Sequence, residues 1–217
     1  MDVLSYAKAD ADQHQNQRPF EPFRFRLSRS QWKRLGETLN ATVVPFSFWR
    51  SRYRKLLIGA GAWTIAVDEV GNPYSLRART FYYFANGRFS FEIDTASLSP
   101  VATWIGASVA ALRVMEKPAL NLYFDAHCTV LTDAAVAIGT VLSNEHLQTQ
   151  FLSHPPFRLF STPQFNGLAR LTMITRPGDD LPGSINAMCS LVHNLLLRLR
   201  DAGHATAEGV HWTRGVK

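Results

Sequence analysis

Thiols are scarce in this chain. Cys128 and Cys189 are its two cysteines, and neither belongs to a CxxC or zinc-type spacing, which argues against a disulfide framework or a thiolate metal centre and suits a reducing compartment. Long apolar runs are missing too: no stretch of about 18 residues escapes polar interruption, so a spanning helix and a membrane partner are not expected. Residues 1 to 19 carry acids where a secretory signal needs a basic start, and they lack its apolar centre, so export by that route is not expected. Gly59-Ala60-Gly61 is not followed by the Lys-Ser or Lys-Thr of a phosphate loop. His146 and His154 stand eight residues apart, where a zinc-binding helix uses a spacing of about three or four. No metal and no cofactor are expected, and neither a repeat nor a low-complexity tract is present.

Acids are scarce in one place above all. Between residues 18 and 55, Arg18, Arg24, Arg26, Arg29, Lys33, Arg34, Arg50, Arg52, Arg54 and Lys55 face only Glu21 and Glu37. That surplus exceeds the +6 of the whole protein, so the remaining sequence is slightly acidic and the basic character belongs to one segment. Phe20, Phe23, Phe25, Trp32, Phe46, Phe48, Trp49 and Tyr53 are threaded through those cations. Such a composition can neutralise phosphates and stack bases, or pack against a partner. Arg24, Arg26, Arg29, Lys33, Arg34, Arg50, Arg52, Arg54 and Lys55 are therefore the candidate phosphate contacts, and Trp32, Trp49 and Tyr53 the candidate stacking rings. The competing account puts the rings in the core and the cations on ordinary solvated faces, but charge of one sign without compensating acids favours binding. Arginine outnumbers lysine 18 to 5, which fits phosphate contacts and equally a GC-rich genome.

Patterning predicts a flexible N-terminal arm over 1 to 19, then a single α+β domain over 20 to 217 whose basic and aromatic segment covers 20 to 58. Phe23 to Leu27 alternates as a half-buried strand, and Ser28 with Gln31 forms a capping box ahead of a helix carrying Trp32, Leu35 and Leu39. Ser47 to Ile58 fits a helix or a strand. Trp63 to Asp68, Leu76 to Phe84 and Arg88 to Asp94 read as an antiparallel meander, with Asn86-Gly87 as a hairpin turn. Helices are predicted from Ser99 to Met115, from Asp133 to Phe151 and from Ser184 to about Ala202, the last with Ile185, Met188, Val192, Leu195 and Leu199 as its apolar stripe. Ala119 to Leu131, bent near His127, then Phe157 to Phe160, Leu168 to Thr175 and a short piece near Val210 are the other strand candidates. The expected architecture is a mainly antiparallel sheet of about six or seven strands with three main helices packed largely on one face.

Two clusters carry chemistry on paper. Asp125, His127 and Cys128 are the parts of a thiol nucleophile site, yet adjacent strand residues point to opposite faces, so a structural histidine and a buried thiol are the better reading. Asp179 and Asp180, in a glycine-bounded loop ahead of a helix, suit a divalent cation or simply complement the helix dipole. No catalytic motif stands out. The composition points first to a non-enzymatic, cytoplasmic bacterial accessory protein that binds RNA or DNA through its basic segment, as a subunit of a larger complex. The alternative is a protein-interaction subunit, such as a secretion chaperone or assembly adaptor, with an acidic protein partner. An enzyme whose site assembles only in three dimensions comes third.

Overall fold

The computed structural model describes residues 27–44, 55–70, 75–95, 116–118 and 120–210. The predicted arm, the Phe23 strand and the Ser99 to Met115 helix lie outside the described residues, Leu27 excepted. So do Arg24, Arg26, Arg50, Arg52, Arg54, Trp49 and Tyr53.

The capping box at Ser28 forms as expected: Gln31 N donates to Ser28 Oγ, and Ser28 N donates to the Gln31 side chain at 2.7 Å. Helix α1 (Arg29–Thr38) follows, burying Trp32 and Leu35. Strands β1 (Thr42–Val44), β2 (Lys55–Ala60), β3 (Trp63–Val70), β4 (Ser75–Phe84) and β5 (Phe91–Thr95) precede α2 (Leu122–His127) and β6 (Cys128–Thr132). Then come α3 (Ala135–Leu142), α4 (Glu145–Ser153), β7 (Phe157–Pro163), β8 (Leu168–Thr175), α5 (Leu181–Asp201) and β9 (Ala205–Gly209). Among the described residues these make one nine-stranded sheet, ordered β1-β2-β3-β4-β8-β7-β5-β6, with β9 also paired to β4. Every pairing is antiparallel. Among the described residues the sheet thus has more strands than the six or seven expected, and there are five α-helices, α1 having been expected in addition to the three main ones. No described helix is long and apolar enough to cross a membrane.

Side chains alternate across a pleated sheet, so the register sorts residues into two faces. One face carries Leu56, Ile65, Val67, Leu76, Ala78, Tyr82, Leu171, Met173, Leu159 and Ile93, all buried in one continuous core. Helix α5 crosses β2, β3, β4 and β8, and α3 and α4 pack against it. Its stripe of Ile185, Met188, Val192, Leu195 and Leu199 is buried as the 3.6-residue period requires. Asp180 rather than Ser184 caps its start, accepting from Gly183 N at 3.1 Å. Its end closes as a Schellman motif, with Gly203 at φ +75°, Gly203 N donating to Arg200 O and His204 N to Leu199 O.

Three predicted features come out differently. Asn86-Gly87 turns the chain, with Gly87 at φ +70°, but it makes no hairpin. One edge of β4 is taken by β8 over Leu76 to Tyr83, and the other by β3 and then β9, so β5 pairs with β7 and β6 instead. Within the predicted strand, Leu122–His127 is a short helix, where Asn121 accepts from Phe124 N at 2.7 Å, and the strand begins only at Cys128. The single helix from Asp133 is two, because Asn144 caps a second one through Leu147 N. Asp133 caps neither; its carboxylate holds Ser90 N at 2.6 Å.

Candidate functional site

The opposite face of the sheet is polar. Along β4, Arg77, Arg79, Phe81 and Tyr83 share it, because they alternate with the buried Leu76, Ala78, Thr80 and Tyr82. Register adds the rest: Lys55 and Arg77 flank Asp68, Arg170 lies opposite Phe81, and Thr172 lies between Arg79 and Phe160. Asp68, with its side chain 1% exposed, is the anchor. It accepts from Arg77 Nε and Nη2, each at 2.9 Å, and from Arg79 Nη2 at 2.6 Å. A bidentate fork with a second guanidinium on the same carboxylate fixes both arginines against the sheet.

Cations gather at this end of the face. Asp68 holds Arg77 and Arg79 directly and stands opposite Lys55 in the register, while Arg170 lies two strands away, opposite Phe81. Burial pushes the Arg79 guanidinium down, Asp68 opposes, and Arg77 and Arg170 push it down further. Burial and then Arg77 lower Arg170. Burial first, then Arg79, lower the Lys55 ammonium, with Asp68 pulling the other way. Among the described residues, the Nε atoms of Arg79 and Arg170 are buried without a hydrogen-bond partner. Cations held together in this way gain from an anion that replaces their lost hydration.

Toward β7 and β5 the same face is closer to neutral. Arg158, its side chain 4% exposed, donates to Glu92 through Nε at 2.7 Å and Nη2 at 2.6 Å. Its guanidinium also lies 6.0 Å from the Phe160 ring centre. Burial raises the Asp94 carboxyl, with Arg158 opposing.

The candidate residues of the basic segment divide between the two sides of the sheet. Lys55 joins the arginine cluster. Arg29, Lys33 and Arg34 stand exposed on α1, which packs toward the core face: a methyl added at Gly36 would lie 3.8 Å from Leu56 Cδ2, and Leu56 points away from Lys55's side. Lys33 meets Glu37 at 3.8 Å. Trp32 is fully buried, so its ring belongs to the core and not to a stacking surface. Sequence reasoning missed Asp68, Arg77, Arg79 and Arg170. The alternation Arg77, Arg79, Phe81, Tyr83 was a readable signal for part of the cluster. Counting charge by segment hid it, because β3 and β8 supply the other members.

The two chemical clusters dissolve into structure. Cys128 lies on the core face of β6, and burial, then Asp94 and Asp125, raise its thiol to about 11. Burial raises Cys189 to about 12. His127 is exposed, its Nδ1 2.8 Å from Tyr123 O. Neither cysteine will react with a thiol probe in the native protein at neutral pH, and both will after denaturation; fast labelling of native Cys128 would restore the nucleophile reading. Asp180, as noted, caps α5.

No family model matches this chain, and no curated protein or solved structure matches it either.

Proposed function

We propose that this protein is a non-enzymatic accessory subunit that binds RNA or DNA through the arginine-bearing face of its sheet. One observation carries the reading: Lys55, Arg77, Arg79 and Arg170 lie on one face of the sheet, and the Nε atoms of Arg79 and Arg170 are buried with no hydrogen-bond partner among the described residues. Phosphate suits the parts of these guanidiniums that remain exposed, since arginine's fork matches its oxygens. The exposed cations of α1, Arg29 and Arg34, would add long-range attraction from another side of the molecule.

Fluorescence anisotropy with labelled nucleic acid, on nuclease-treated protein at low and physiological salt, tests this. Four phosphates neutralised on a single strand correspond to a log–log salt slope of about −3. Arg170→Gln should weaken binding to every sequence and flatten that slope by about 0.7. No binding at low salt, or an unchanged slope in the variant, would remove the face from consideration.

A second reading, a protein-interaction subunit with an acidic partner, draws on a different observation. Leu122, Val136 and Phe165 are each more than four-fifths exposed, and Tyr123 is two-thirds exposed. Large apolar side chains so open to water suit a protein contact. A stoichiometric protein complex that forms without nucleic acid, in parallel with a null anisotropy result, would favour it.

A further inference from the structure

We infer that the ligand of the arginine face is single-stranded nucleic acid, its bases stacked on Tyr83 and Phe160 while its phosphates meet Arg79 and Arg170; this rests on the polyanion reading above. The argument is geometric. Tyr83 and Phe160 are both partly exposed on the polar face; Arg170, opposite Phe81 and one pleat from Tyr83, lies between them, and Arg79 shares Phe160's row across β8. Neighbouring strands are about 4.8 Å apart and alternate residues along a strand about 7 Å apart. The backbone positions of Tyr83 and Phe160 therefore stand about 16 Å apart, with Arg170 near the middle of that line and Arg79 to one side of it, a span of two to three nucleotides in an extended strand at about 6 to 7 Å each.

Duplex fits this surface poorly. Its bases are already stacked and paired, so it offers the rings nothing, and every stacking contact would require unpairing. The cations also lie low: the Arg77 and Arg79 side chains are each only 19% exposed, held down by Asp68. A phosphate must come close to the sheet to reach them, which a pliant single strand lying flat can do. A rigid cylinder touches such a face along a narrow line. Tyr83 and Phe160 carry no base-edge code, so the mode predicts little sequence preference.

The test uses the full-length protein and labelled 12-nucleotide probes: single-stranded RNA, single-stranded DNA, duplex DNA, and an abasic DNA strand with the same phosphates. Single strands should bind at least tenfold more tightly than duplex or the abasic strand. The double variant Tyr83→Leu with Phe160→Leu should lose that tenfold advantage while keeping its affinity for the abasic strand and its salt slope. Because the abasic comparison needs no substitution, it holds even if the double variant is poorly folded. Equal affinity for base-bearing and abasic strands, or for single strand and duplex, overturns the stacking inference and leaves the polyanion reading standing. Failure of all four probes to bind defeats both.

Discussion

Asp68→Asn is expected to lower the unfolding free energy by about 3 to 5 kcal/mol, the cost typical of removing one partner from a buried ion pair. Asparagine keeps the shape of the side chain, so the loss is electrostatic. Asp68 receives three charge-assisted hydrogen bonds from Arg77 and Arg79 and pairs across β2 and β4 with Lys55 and Arg77. Without its charge, Arg77 and Arg79 lose the carboxylate that holds them side by side on a largely buried surface. The pair is no proof that charge stabilises the fold, because apolar replacements of all partners can be neutral. Removing one partner alone has no such compensation. Urea denaturation measures it: the midpoint should fall with an unchanged slope. A loss under about 1 kcal/mol would mean that the arginines turn out to solvent and would count against their confinement on this face. Added oligonucleotide should restore part of the lost stability, since the ligand supplies the missing negative charge.

Phe151→Ala is expected to cost about 3 to 5 kcal/mol, through lost burial and the cavity left behind. Its ring is fully buried, 6.1 Å from Phe124 and 5.5 Å from Phe157 between ring centres. It therefore fastens α4 to α2 on one side and to β7 on the other. Against a typical domain stability of about 5 to 15 kcal/mol, such a loss approaches unfolding. Phe151→Leu, which keeps most of the volume, should cost much less, and the difference between the two variants isolates the cavity. An alanine variant less than about 1.5 kcal/mol below the parent would mean that α4 does not dock through this ring. Both substitutions lie away from Tyr83 and Phe160, so their binding phenotypes separate from those of the stacking variant.

Features confined to a few residues were legible in advance. The Ser28 and Gln31 box, the α5 stripe and the alternation of β4 each arise from contacts within one element, where spacing alone dictates which side chains share a face. Leu122 to His127 was misread because an aromatic, apolar run suits a strand until Asn121 is recognised as its cap. Asn86-Gly87 was read correctly as a turn and wrongly as a hairpin, since turn chemistry bends the chain without choosing the next neighbour.

The arginine face shows the same division. That Arg77 and Arg79 project together follows from the two-residue period of one strand. That Asp68 stands between Lys55 and Arg77, and that Arg170 stands opposite Phe81, follows from pairing among β2, β3, β4 and β8. Summed by segment, basic charge belonged to residues 18 to 55; summed by surface, Lys55 sides with three arginines from outside that segment, and α1 carries its own cations toward the other side of the sheet. Coulomb interaction depends on distance in space and not on separation along the chain, so only the register of the sheet could decide which charges meet.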